Sequence, residues 1–131
     1  MTISAIKTAF EKEFAPLLPK FTFFELTVTK AKIENSEYVW KPGVYIWFAQ
    51  DEVIKVGRSF TNARKRALEH IDYGKGGTLN REWSIQALSN SVDTKILLFN
   101  LKDEKDKHWA AALEIFFESI LKPKIASGRL G

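Results

Sequence analysis

Apolar residues change their spacing several times along the chain, and each change marks an element. Over residues 4–15, Ala5, Ile6, Phe10 and Phe14 recur near every fourth position, which predicts a helix ended by Pro16 and Pro19. From Phe21 to Thr29, Phe24, Leu26 and Val28 alternate against Glu25 and Thr27, the period of a strand. Residues 30–41 are polar and predict irregular chain. Gly43–Ala49, entered from Pro42, is a near-continuous apolar strand. Gln50-Asp51-Glu52 is its turn, and Val53–Val56 is the return strand closed by Gly57. Thr61 or Asn62 can cap a following helix that Gly74 would end. Gly74, Gly76 and Gly77 make a flexible connection to a short helix expected at Leu79–Leu88. Lys95–Leu101 reads as a buried strand, Asp103–Lys107 as a charged loop, and Trp109–Leu121 as an apolar helix stopped before Pro123.

The expected order from residue 43 is hairpin, helix, strand, helix, with one helix and one strand in front. This is α/β or α+β, a small mostly antiparallel sheet with flanking helices. Residues 1–40 are expected to decorate a core formed by residues 41–131, in one compact domain. The hairpin parity matters for chemistry, because side chains alternate across a strand. A two-residue loop would turn Lys55 away from Tyr45. The turn lacks Asn-Gly or Gly-X, so a three-residue loop, or a bulge of the same parity, is expected. Trp47 would then face Lys55, and Lys55 would share the face of Tyr45.

Composition narrows the class. With 131 residues, 45% of them hydrophobic, the chain can close one hydrophobic core. It has no cysteine, which excludes disulfides and thiolate metal sites and fits a reducing compartment. Lys7, Glu11, Lys12 and Glu13 interrupt the first 18 residues, so they do not read as a signal peptide. No apolar run approaches the roughly 20 residues of a membrane span. A cytosolic protein is expected.

Charge is uneven. The net charge is +4, but residues 55–81 hold seven basic residues and two acidic ones, or +5, leaving −1 for the rest. A concentrated basic segment fits a phosphate backbone, and a solvated helix face is the plainer alternative. Arg58, Arg64, Lys65 and Lys75 are the expected phosphate contacts.

Phosphodiester hydrolysis needs an activated in-line water, neutralised phosphorane oxygens and a stabilised leaving oxygen. Tyr45 stands in an apolar strand. Taken alone, it is a strand aromatic with its hydroxyl at the sheet edge. As a base it needs a nearby cation, since a free phenol titrates near pH 10. Lys55 on the partner strand is that cation, or simply an edge lysine. Arg66 and His70 lie four apart on one helix stripe, bordering the core stripe of Ala63, Ala67 and Ile71. Glu114 interrupts an apolar helix, with Glu118 one turn on. One carboxylate leaves most of a Mg²⁺ shell to water and phosphate, which suits that ion.

In this order the motifs resemble the GIY-YIG nuclease superfamily. Gly43-Val44-Tyr45 matches the first motif. Lys55-Val56-Gly57 matches the second, with lysine in place of its tyrosine. Gly57-Arg58-Ser59, Asn62 and Arg66 to His70 resemble the stretch that follows, with one extra residue. Ala112-Leu113-Glu114 and Pro123 resemble the final helix and the proline after it, and that spacing favours Glu114 over Glu118. The resemblance spans residues 41–125. The asparagine often found after that proline is absent, Ala126, Ser127 and Gly128 standing there. The resemblance implies a Mg²⁺- or Mn²⁺-dependent endonuclease acting on nucleic acid, with DNA expected. It implies Tyr45 on the attacking water, helped by Lys55, and Arg66 on the scissile phosphate. His70 would handle the proton or contact phosphate, and Glu114 would hold the metal. Gly43 and Gly57 would be the motif glycines. Products would carry a 5′-phosphate and a 3′-hydroxyl. Two other readings stay open: an inactive nucleic-acid-binding module of the same fold, and a protein-interaction domain using Phe21–Phe24.

Overall fold

The alternating segments pair into one four-stranded antiparallel sheet in the order β1-β4-β2-β3. The strands are β1 (Phe21–Thr27), β2 (Gly43–Ala49), β3 (Glu52–Ser59) and β4 (Lys95–Leu101). Among the described residues, the helices are α1 (Ile3–Glu13), α2 (Val28–Ile33), α3 (Ala63–Tyr73) and α4 (His108–Leu121), with 3₁₀ turns at Ala15–Lys20 and Glu104–Asp106. This computed structural model describes residues 1–73 and 92–125. The glycine connection, the helix expected at Leu79–Leu88, and Lys75 lie outside the described residues. Among the described residues, no helix is long and apolar enough to cross a membrane.

The fold is a small α+β arrangement, as the patterns predict. One element differs. Residues 28–33 form α2 where the end of a strand and then irregular chain are expected. Thr27 ends β1 and then turns its hydroxyl to cap the new helix, accepting from the Lys30 N–H at 3.2 Å. β1 therefore ends two residues early. Thr2 caps α1 the same way, accepting from the Ala5 N–H at 3.0 Å. β1 pairs with β4 along its whole length, so residues 1–40 supply an edge of the sheet as well as a covering helix.

The sheet has two unlike covers. On one face, Ile6 and Phe10 of α1 and Ala110, Leu113 and Phe117 of α4 close over Val44, Ile46, Phe48, Leu97 and Phe99. On the other, α2 and α3 bring Val28, Ala31, Ala63 and Ala67 onto Tyr45, Trp47, Ile96 and Leu98.

The hairpin closes with Gln50 and Asp51 both in left-handed conformation, at φ 54° and 62°. Ala49 pairs with Glu52 and Phe48 with Val53, and then a bulge lets Trp47 face Lys55 and Tyr45 face Gly57. The loop is shorter than expected and the bulge restores the expected parity. Ile54 and Lys55, adjacent in sequence, both serve the Tyr45 face. Beyond α4 the chain returns along this strand. The N–H groups of Lys124 and Ile125 donate to the carbonyls of Val53 and Ile54, at 3.1 and 2.8 Å, and fix the bulge from outside.

Candidate active site

β2 is central in the sheet, and Tyr45 projects from it toward α3. Its ring lies across β3 at Gly57. A Cβ on Gly57 would overlap the phenol ring and its hydroxyl. Glycine is therefore required under Tyr45 for a packing reason. Gly43 answers a different need, since a side chain there would strike the Phe99 carbonyl on the neighbouring strand.

α3 supplies the partner. Ala63, Ala67 and His70 occupy its buried stripe, at spacings of four and three. The Trp47 indole N–H donates to the Ala67 carbonyl at 3.1 Å and ties the middle of the helix to β2. Asn62 accepts from the Lys65 N–H at 2.9 Å and caps its start. So held, His70 places Nε2 2.6 Å from the Tyr45 hydroxyl oxygen, with both side chains buried.

Burial decides both protonation states. The Tyr45 phenol is held well above its usual range by loss of water, against the opposing pull of Arg66 and with the carboxylates of Glu114, Glu69 and Glu118 adding to the rise. This corrects the expectation that a neighbouring cation brings the phenol down. Lys55 lies on the expected face, buried at 6% exposure, but desolvation sets the phenol and, among the described residues, the opposing cation is Arg66. His70 is pushed down to about 4, first by burial and then by Arg66 and Lys55, with Glu69 opposing. Near neutral pH the imidazole is uncharged and the phenol protonated. A phenol is the better donor and an imine nitrogen the better acceptor, so Tyr45 O–H donates to Nε2.

Arg66 leaves the buried stripe and faces solvent. Its guanidinium donates to Glu69 Oε1 at 3.1 Å, one helix turn on. Exposed pairs of this kind are worth under about 1 kcal/mol, so a phosphate can displace Glu69.

Glu114 arrives from the other side. α4 packs on the face opposite Tyr45, and Glu114 belongs to its inward stripe with Ala110, Leu113 and Phe117. The two sides approach across edge strand β3. Tyr45 lies over Gly57, and the next residue, Arg58, faces the other way and donates to Glu114 Oε1 at 2.6 Å. Glu114 is 3% exposed, yet its charge acts on the Tyr45 phenol.

The basic residues divide by partner. Arg58 holds Glu114 and covers the Phe60 ring, 4.8 Å from its centroid. Arg64 turns inward to the end of α2, donating to the Glu34 carbonyl at 2.7 Å and the Ala31 carbonyl at 3.5 Å. Those carbonyls lack helical partners at a C-terminus, so a guanidinium satisfies them. Lys65 is exposed. Lys75 falls outside the described residues.

Any metal bound at this site would depend on Glu114. Among the described residues, no three histidine or carboxylate side chains cluster as a metal site. A single buried carboxylate with Glu118 one turn on is a hard-oxygen donor set that fits Mg²⁺ or Mn²⁺ with a shell otherwise of water and phosphate. The fit requires the cation to contend with Arg58, which already neutralises Glu114 Oε1.

Three contributors escaped sequence reasoning: Trp47 as anchor of α3, Arg58 as partner of Glu114, and Asn100. The Asn100 amide donates to the Lys41 carbonyl at 2.9 Å while its buried Oδ1 has no partner among the described residues. Period-two alternation from Lys55 and Gly57 does put Arg58 on the α4 side. Nothing in the sequence pairs it with a residue 56 positions away. Compared with known proteins, the chain matches no family model, no curated protein and no solved structure.

Proposed function

We propose that this protein is a metal-dependent nuclease that hydrolyses phosphodiester bonds in nucleic acid, DNA first. The observation that carries the reading is the buried Tyr45–His70 pair at 2.6 Å, set over Gly57. A buried tyrosine hydroxyl takes an acceptor in any fold; what supports the reading is that this acceptor is a neutral imidazole, a group able to take the proton.

The residues suggest a relay. Tyr45 gives its proton to His70 Nε2 as it takes one from the attacking water, so no free phenolate is needed and the raised phenol is no obstacle. His70 receives that proton more readily once a phosphate anion offsets Arg66 and Lys55. Arg66 exchanges Glu69 for a non-bridging phosphate oxygen. Burial, with Arg66 and Lys55 adding to it, keeps the imidazole neutral in the resting site. Glu114 would hold Mg²⁺ or Mn²⁺, which supplies charge neutralisation at the leaving oxygen. Positioned proton transfer of this kind contributes about 10²–10⁴-fold. The absence of cysteine fits a cytosolic setting.

One observation favours a second reading. Arg58 on Glu114 gives that carboxylate a structural role, as expected of a nucleic-acid-binding module without hydrolysis. Cleavage of a panel of duplex, branched and single-stranded DNAs with Mg²⁺ separates the two. Activity lost in Tyr45→Phe and Glu114→Ala supports the nuclease. Binding without cleavage in the native protein would leave the module.

A further inference from the structure

Arg58 and a metal ion have claims on the same carboxylate. Glu114 lies among Ala110, Leu113 and Phe117 at 3% exposure, where an ionised carboxylate needs a cation or strong donors. Arg58 answers that need at 2.6 Å. A divalent cation on Glu114 would answer it too, and would then repel the guanidinium beside it. Arg58 has somewhere to go. Its side chain is 26% exposed, and its guanidinium already lies over Phe60, itself 41% exposed. Guanidinium groups bind carboxylate and phosphate with the same planar fork.

We propose that Arg58 is an exchangeable counter-ion: it holds Glu114 in the metal-free protein and passes to a substrate phosphate when the metal arrives. This rests on the reading of Glu114 as the metal ligand. Metal binding releases a phosphate-binding arginine, and nucleic acid draws that arginine off the carboxylate. Each ligand therefore strengthens the other, and by linkage both effects are equal in free energy. The protein would hold metal weakly until nucleic acid is bound.

Mn²⁺ titration by calorimetry, with thermal denaturation alongside, tests this without cleavage if every protein also carries Tyr45→Phe. A DNA duplex should tighten Mn²⁺ binding to the Arg58 protein by about tenfold, a usual size for such coupling. Arg58→Gln should bind Mn²⁺ about tenfold more tightly without DNA, gain more in melting temperature from Mn²⁺, and lose most of the DNA effect. Should Arg58→Gln fail to fold, Arg58→Lys and the DNA effect on the Arg58 protein test the same exchange. Mn²⁺ binding that requires Glu114 but ignores both DNA and residue 58 overturns the exchange alone. Mn²⁺ binding unchanged in Glu114→Gln, or absent throughout, overturns the metal reading beneath it as well.

Discussion

The two faces of this sheet are both buried, yet they are built from different materials. The face under α1 and α4 is an aromatic layer. Phe10, Phe23 and Phe117 surround Phe99 with ring centroids 4.9–5.0 Å apart. The face under α2 and α3 buries Lys55, His70 and Asn100 with the Tyr45 hydroxyl and the Trp47 indole. One face gains stability from dry contact. The other gives some of it up to hold polar groups in fixed geometry. Glu114 is the exception that joins them, a carboxylate set into the aromatic face beside the edge strand. Most of the packing and most of the candidate site therefore divide across one sheet, so substitutions can separate them.

The sharpest separation compares Phe99 with Tyr45. Phe99→Ala should cost about 3–5 kcal/mol in urea unfolding, because the surrounding rings cannot close the cavity. Tyr45→Phe should lower cleavage by about 10²–10⁴-fold, as expected for a proton-transfer group. Its cost in stability should be only about 1 kcal/mol, the worth of one hydrogen bond. Equal stability losses in the two variants would erase the distinction between the faces.

Gly57→Ala tests whether the polar face is fixed from beneath. The added methyl collides with the Tyr45 ring, so the ring must shift and the Tyr45–His70 bond should weaken or break. Overpacking of this kind costs about 1–3 kcal/mol. The aromatic face should be untouched, which the chemical shifts of the Phe99 and Phe117 rings would report.

Acid should loosen the polar face first. His70 titrates near 4 in the folded protein, below its ordinary value of about 6.5. Between those values the unfolded chain binds the proton and the folded one does not. The His70 contribution is present in full above pH 6.5 and is lost as pH falls toward 4. Stability measured from pH 7 to 4 should drop, and His70→Gln should flatten the drop. An unchanged slope in that variant would show that another group sets it.

The smallest effect belongs to the exposed rim. Glu69→Gln, which frees Arg66, should change stability by under about 1 kcal/mol. DNA affinity should rise slightly, since Arg66 no longer leaves a partner to reach phosphate. Lys65→Ala tests the outward basic face of α3. Removing one phosphate contact should flatten the plot of log affinity against log salt by about 0.9 on duplex DNA.

Much of this division was legible in the sequence. Gly43–Ala49 and Lys95–Leu101 are strands over the expected residues, since turn residues bound one and an unbroken apolar run defines the other. α2 was not legible. Six residues hold under two helical turns, too few for a 3.6-residue period to emerge from Val28, Thr29 and Ile33. β3 runs on to Ser59 because Gly57, an apparent strand end, stays in the ladder beneath Tyr45. At the candidate site, the shared face of Tyr45 and Lys55 followed from parity. The inward turn of His70 and the outward turn of Arg66 did not, because spacing puts both on one stripe and packing alone chooses between them. Arg58 and Arg64 counted as basic charge in the sequence. In the fold they serve a buried carboxylate and a helix end.

Gain or loss of a residue in the β2–β3 hairpin has one tolerated address. With the turn at Gln50-Asp51 and a straight β3, Ile54 would stand opposite Trp47, Lys55 opposite Ile46 and Val56 opposite Tyr45. A lysine would enter the aromatic layer, and a valine would take the place beneath the phenol. The bulge prevents this by counting one residue twice. A descendant that lost Ile54 would still set Lys55 against Trp47 and Gly57 against Tyr45. Two lineages differing in length at that point would read as misaligned by one and still carry the same site.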